Sequence, residues 1–167
     1  MKIINYILYT LLICLAIIIE ATFFSNIKLF GGMADLVLVI LVSLTFFLKR
    51  EDLLLAFIIA GVLMDLYIGQ MIGSHILAFG IILLLINRYS KRMIRENIVI
   101  ALLIIFLSSI IYYLVMGVLL LFVGKGYYVN LIFIKNALFS SIYNLLLGLI
   151  IYPLTYLIFH RINKEIQ

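Results

Sequence analysis

The chain has 167 residues, 68% of them hydrophobic and only 11% charged, with a mean hydropathy of +1.37. Those figures exclude a water-soluble domain of this length, whose core has no room for so much apolar surface, and point to a membrane protein. The formal charge of +5 does not imply nucleic acid, because in so apolar a chain basic residues mark loops held in the cytoplasm; the partner implied is membrane lipid.

Charges and turn residues divide the chain into six apolar segments, approximately 3–24, 35–48, 53–68, 71–87, 98–123 and 131–159. The segments lack the period-two alternation of a membrane barrel, so each is read as a transmembrane helix in a single six-helix domain. A bilayer core asks for about 20 helical residues. The second, third and fourth spans are short by that measure, and the last two are generous. Lysine and arginine divide nine to three between the two sets of loops: Lys2, Lys49, Arg50, Arg88, Lys91, Arg92, Arg95, Arg161 and Lys164 against Lys28, Lys125 and Lys135. That bias puts both termini in the cytoplasm.

The first segment follows Lys2 and is as long as a full span, with no small-x-small cleavage site after it, so it is read as an uncleaved helix. Its Cys14 has no partner for a disulfide. Glu20 lies eighteen residues past Lys2, about 27 Å along a helix that rises about 1.5 Å per residue. Asp35 opens the second span from the outside. Asp65 lies thirteen residues beyond Asp52, about 20 Å from the cytoplasmic edge. Three acids therefore converge at the outer level, where Lys28, Lys125, Lys135 and His75 are also expected.

An ionised group in hydrocarbon costs about 2.5 to 3.5 kcal/mol even on the mild insertion scale, so these acids need partners. Two readings stand: a functional one, a proton or cation relay or a substrate pocket, and a structural one, acids that cap helix ends or pair with Lys28 or Lys135 to fix adjacent helices. Gly69 and Gly73 have GxxxG spacing but fall in the turn between the third and fourth spans, where glycine serves positive φ. His75 has no second histidine or cysteine nearby, so no metal site is expected. In the last span Ser140, Asn144 and Gly148 share one face at i, i+4 spacing, with Ser108 and Ser109 at a comparable depth in the fifth; such residues pack membrane helices together. Pro153 is expected to kink the final turns. No catalytic motif is present, and neither an enzyme nor a cofactor is expected.

The stretch "GGMADLVLVILVSLTFFLKREDLLLAFIIAGVLMDLYIGQMIGSHILAFG" resembles the MreD family of rod shape-determining membrane proteins. Asp35 and Leu36 match the start of that family's second span, with Ala34 where a proline is usual; Gly61, Asp65, Leu66, Gly69 and Gly73 match its glycine-x-x-x-aspartate-leucine element. In "NALFSSIYNLLLGLIIYPL", Asn144 stands at a recurring asparagine of the last span. The resemblance implies a non-catalytic inner-membrane subunit that binds MreC and works with MreB filaments and the peptidoglycan polymerase and transpeptidase. It also implies a fold similar to the S components of energy-coupling-factor vitamin transporters, which supplies an alternative function as a vitamin-binding component. The spacing of Ala16 and Ala21, five apart rather than the four of the transporters' docking helix, favours the scaffold.

Overall fold

The side chains of α2, Leu36–Leu44, are apolar on every side apart from Ser43, and a helix of that kind has to lie inside a bundle. In the computed structural model, which describes residues 2–24, 27–68, 71–89 and 97–165, α2 touches α1 (Lys2–Thr22), α3 (Arg50–Ile68), α5 (Ile98–Phe122) and α6 (Leu131–Glu165). Val37, Leu38, Val39, Leu41, Val42 and Leu44 are fully enclosed. Around this axis, α3 pairs with α4 (Ser74–Tyr89) and α5 with α6, and α4 packs on α5.

The six helices occupy the six segments expected, with one substantial difference. The second was expected to run over 35–48, but its α-helix ends at Leu44. At about 1.5 Å per residue its nine residues reach about 13 Å, less than half a bilayer core. Its end has a local cause: the hydroxyls of Ser43 and Thr45 bond back to Val39 O (2.7 Å) and Val42 O (2.6 Å), and the amides of Thr45, Phe46 and Phe47 reach carbonyls only three residues back. This tightening turns the chain and sets Phe46 and Phe47 against Tyr152 of α6, at ring separations of 5.5 and 5.8 Å.

A second feature was not expected. Residues 28–33 form a β-hairpin, with β1 (Lys28–Leu29) antiparallel to β2 (Gly32–Met33). Its two-residue loop, Phe30–Gly31, has positive φ at both positions (51° and 102°), as a primed hairpin turn requires. Gly32 lies directly on α6: a Cβ there would stand 2.6 Å from the carbonyl carbon of Phe139 and collide with the Ser140 amide nitrogen.

Among the described residues, α5 and α6 are the two helices long and apolar enough to cross a membrane. α5 starts at Asn97, whose side chain accepts from Val99 N. It ends at Gly124 (φ 74°), where Lys125 N donates to Leu120 O (2.9 Å) and Gly124 N to Leu121 O (3.1 Å), the paired bonds of a Schellman stop. α6 opens with Asn130 accepting from Phe133 N at 3.0 Å, and it contains Pro153. Leu114, Val118, Leu138 and Leu149 point outward, whereas Ser108, Ser109, Ser140, Ser141 and Asn144 are buried between the helices.

Glycine sets the tightest crossing. A Cβ on Gly61 of α3 would stand 2.7 Å from Ile76 Cα of α4, whereas one on Gly80 would meet nothing within 4 Å. Gly61→Ala is therefore expected to destabilise by about 1 to 3 kcal/mol. Gly80→Ala should be neutral or stabilising by up to about 1 kcal/mol. Denaturant titration of the purified protein in mild detergent checks both, and equal effects at the two glycines would refute the close α3–α4 crossing.

Candidate functional site

The first amides of a helix have no acceptor within the helix, and when a helix starts inside a bundle side chains must supply one. Two such starts, those of α2 and α4, organise the buried polar residues.

At α2, Asp35 is the N-cap and accepts from Leu38 N at 3.2 Å, while Glu20 reaches across from α1 to accept from Val37 N at 3.1 Å. Val39 N closes the first intrahelical bond to Asp35 O. The Asp35 amide itself donates to Asn144 Oδ1 on α6 at 2.7 Å, and Asn144 Nδ2 donates to Ser109 Oγ on α5 at 3.0 Å. One step along, Met33 N of the hairpin donates to Ser140 Oγ at 2.9 Å. Four helices and the hairpin are thus joined through one set of bonds. Asn144 is wholly enclosed, and its amide donates and accepts at once, a combination that no apolar residue of its size supplies.

At α4, Asp65 reaches over from α3. Its Oδ2 accepts from Gly73 N at 2.8 Å, and its Oδ1 accepts from His75 N at 2.9 Å and lies 2.8 Å from His75 Nδ1. The Ser74 hydroxyl, 3.1 Å from Oδ1, adds a further donor. Gly73 has φ 93°, the left-handed conformation that suits glycine in this turn. A carboxylate at a helix start is also favoured by the helix dipole. Beside the second assembly, His75 lies against Tyr112 of α5 at 6.0 Å, and Tyr112 stacks on Phe79 at 5.8 Å.

The structure brings Glu20, Asp35, Leu36 and Asn144 together, and separately Gly61, Asp65, Gly73 and His75. The lysines stand apart. Lys28 and Lys135 are exposed, Lys135 lying 5.9 Å over the Phe139 ring. Among the described residues neither lysine pairs with an acid; the partner of Asp65 is His75, whose Nδ1 lies 2.8 Å from Oδ1. Leu66 is 72% exposed and joins neither group. Gly69 lies outside the described residues. Among the described residues, no three His, Cys, Asp or Glu side chains are placed to hold a metal ion.

Sequence reasoning missed Ser74, Tyr112 and the hairpin. "IGSH" carried a signal for the first, a serine before an apolar run after glycine, and "KLFGGM" for the hairpin, a diglycine between short apolar pairs. Tyr112 had none beyond its i+3 and i+4 spacing from Ser109 and Ser108.

A chain that is helical apart from one short hairpin, turns many apolar side chains outward, buries hydrogen-bonded polar ones and has, among the described residues, two helices long enough to cross a bilayer fits the class of helical membrane proteins. A family model described as rod shape-determining protein MreD matches residues 1–162. The chain therefore belongs to the MreD family, whose members are cell-shape-determining membrane proteins and not a known enzyme family. No curated protein and no solved structure matches the chain, so the expected likeness to transporter S components gains no support.

Asn144→Leu keeps the side chain's approximate volume but leaves the Asp35 amide without its acceptor. A loss of about 1 to 3 kcal/mol is expected. Ser109→Ala removes only the acceptor of Asn144 Nδ2 and should cost about 1 kcal/mol. Unfolding titrations of the two variants and of their double variant check this, since bonds in one network give non-additive losses; strict additivity would dissolve the network.

Proposed function

We propose that this chain is a multi-pass subunit of the bacterial inner (cytoplasmic) membrane that binds MreC and helps to position lateral peptidoglycan synthesis, working indirectly with MreB and with the elongation polymerase and transpeptidase. The observation that carries the reading is the family match over residues 1–162. The buried polar groups support it further, since they are spent on one another and on helix starts, as in a rigid subunit. The nine-to-three division of basic residues supports cytoplasmic termini and an outer face carrying the hairpin and Tyr127–Tyr128, whose adjacent rings, 4.2 Å apart, suit the interfacial zone. Association between apolar helices in lipid rests on packing and a few polar contacts, so MreC is expected to dock along the outward apolar surface.

Depletion is expected to turn rod-shaped cells round, and the tagged protein to recover MreC from detergent extracts. Normal shape together with a growth-factor requirement would overturn the reading in favour of a vitamin-binding component. Topology has its own check. A membrane-impermeant thiol reagent should label Lys125→Cys in intact cells and Lys91→Cys only after permeabilisation, both in a Cys14→Ser background; labelling of Lys91→Cys in intact cells would reverse the orientation.

Asp65→Asn keeps the size of the group but sets an NH2 against either the Gly73 amide or the His75 donors. The variant is expected to fold with reduced stability and to recover less MreC. Unchanged cell shape and unchanged recovery would reduce Asp65 to a helix cap with no part in assembly.

A further inference from the structure

His75 uses only one of its ring nitrogens in the cap. Nδ1 faces Asp65 Oδ1 at 2.8 Å, and because a carboxylate oxygen accepts, the shared proton belongs to Nδ1. In the neutral ring that assignment leaves Nε2 with a bare lone pair. Among the described residues Nε2 makes no hydrogen bond, although His75 is only 5% exposed. It is not sealed in protein either, because among the described residues no buried side-chain nitrogen or oxygen lacks a partner. The ring borders a cavity of about 190 Å³ between the α3–α4 turn and α5, walled by Met71, Tyr112, Met116 and Leu120 beside the Asp65–His75 pair.

Size and lining restrict what fits. An apolar cavity of roughly 150 Å³ accepts benzene, so this one accommodates a ring with one small substituent. Two thioethers, a leucine and an aromatic face suit an apolar body. Nε2 is an acceptor with no protein partner among the described residues, and with the oxygens of Asp65, Ser74 and Tyr112 also on the wall it favours a substituent that donates. The negative charge of Asp65 behind the imidazole and the face of Tyr112 beside it both favour a positively charged donor.

We propose that the cavity bordered by His75, Tyr112, Met71 and Met116 is a binding site for a small amphiphilic molecule, an apolar body of about benzene size carrying one N–H or O–H donor, preferentially an ammonium, that hydrogen-bonds His75 Nε2. The site is separate from the outward apolar surface expected to meet MreC and does not rest on that reading.

The chain has two histidines, so a His160→Gln variant with 15N-labelled histidine reports His75 alone by NMR in detergent micelles. Without ligand, Nδ1 should carry the proton and Nε2 should show the unprotonated shift. Benzylamine should move the Nε2 resonance saturably, while toluene, which lacks the donor, should bind at least about tenfold more weakly. Met116→Trp fills the cavity from α5 without touching the Asp65–His75 pair, and should abolish the response while the Nδ1 signal persists; Leu120→Phe is a smaller filling to use if the tryptophan variant does not fold. A proton on Nε2 in the free protein, equal binding of benzylamine and toluene, or a response that does not saturate or survives the filled cavity would each overturn the proposal.

Discussion

The amides that open α2 and α4 lie inside the bundle, away from water, and every one of them has to find an acceptor there. A buried backbone donor left unpaired costs about as much as a hydrogen bond is worth in an apolar medium, several times its net worth in water. That constraint selects the polar residues. Asp35, Glu20 and Asp65 are acceptors placed at helix starts, where the exposed amides and the helix dipole both favour a carboxylate. Asn144 performs the complementary task for the amide of Asp35, the residue just outside α2.

The brevity of α2 follows from the same requirement. A helix that crossed the whole bilayer would begin and end at its surfaces, where lipid head groups and water accept its terminal bonds. α2 begins just after the hairpin, with Asp35, Leu36 and Val37 buried, and so needs internal partners at its start. At its other end the hydroxyls of Ser43 and Thr45 and the tight turn through Leu48 take up the last carbonyls. The hairpin fills the length that α2 gives up. It fits because Gly31 and Gly32 bring its backbone against Asn136, Phe139 and Ser140 of α6, a distance that a side chain would forbid.

The number and placement of the helices were legible in the sequence because apolar runs bounded by charges record them directly. The face of α6 bearing Ser140, Asn144 and Gly148 was legible from i, i+4 spacing, and all three are buried, Gly148 against Ile105 and Leu102 of α5. The partners were not. Nothing in the spacing distinguishes an aspartate that caps the next helix from one that pairs with a lysine, because both put the acid at the same depth. The choice was made by distances across the chain, 109 residues for Asp35 to Asn144, that single-sequence patterns do not encode. The end of α2 was illegible for a related reason: "TFFL" is as apolar as the helix before it, and only the pull of Tyr152 on Phe46 and Phe47 shows that the chain has turned.

These connections bear on how such a subunit could hold a partner in place. The α6 side chains Ser140 and Asn144 hold Met33 and Asp35, the residues on either side of Ala34, so the hairpin is tied to α6, while Glu20 of α1 holds Val37 in the first turn of α2. A hairpin of two-residue strands is not stable by itself; its position is inherited from the helices beneath it. Any shift of α6 relative to α1 therefore moves the hairpin, and through Asp35 it also moves the start of the central helix. The physical consequence is that the hairpin end of the bundle moves as one piece, which is the property a positioning subunit requires and a gated pore would not.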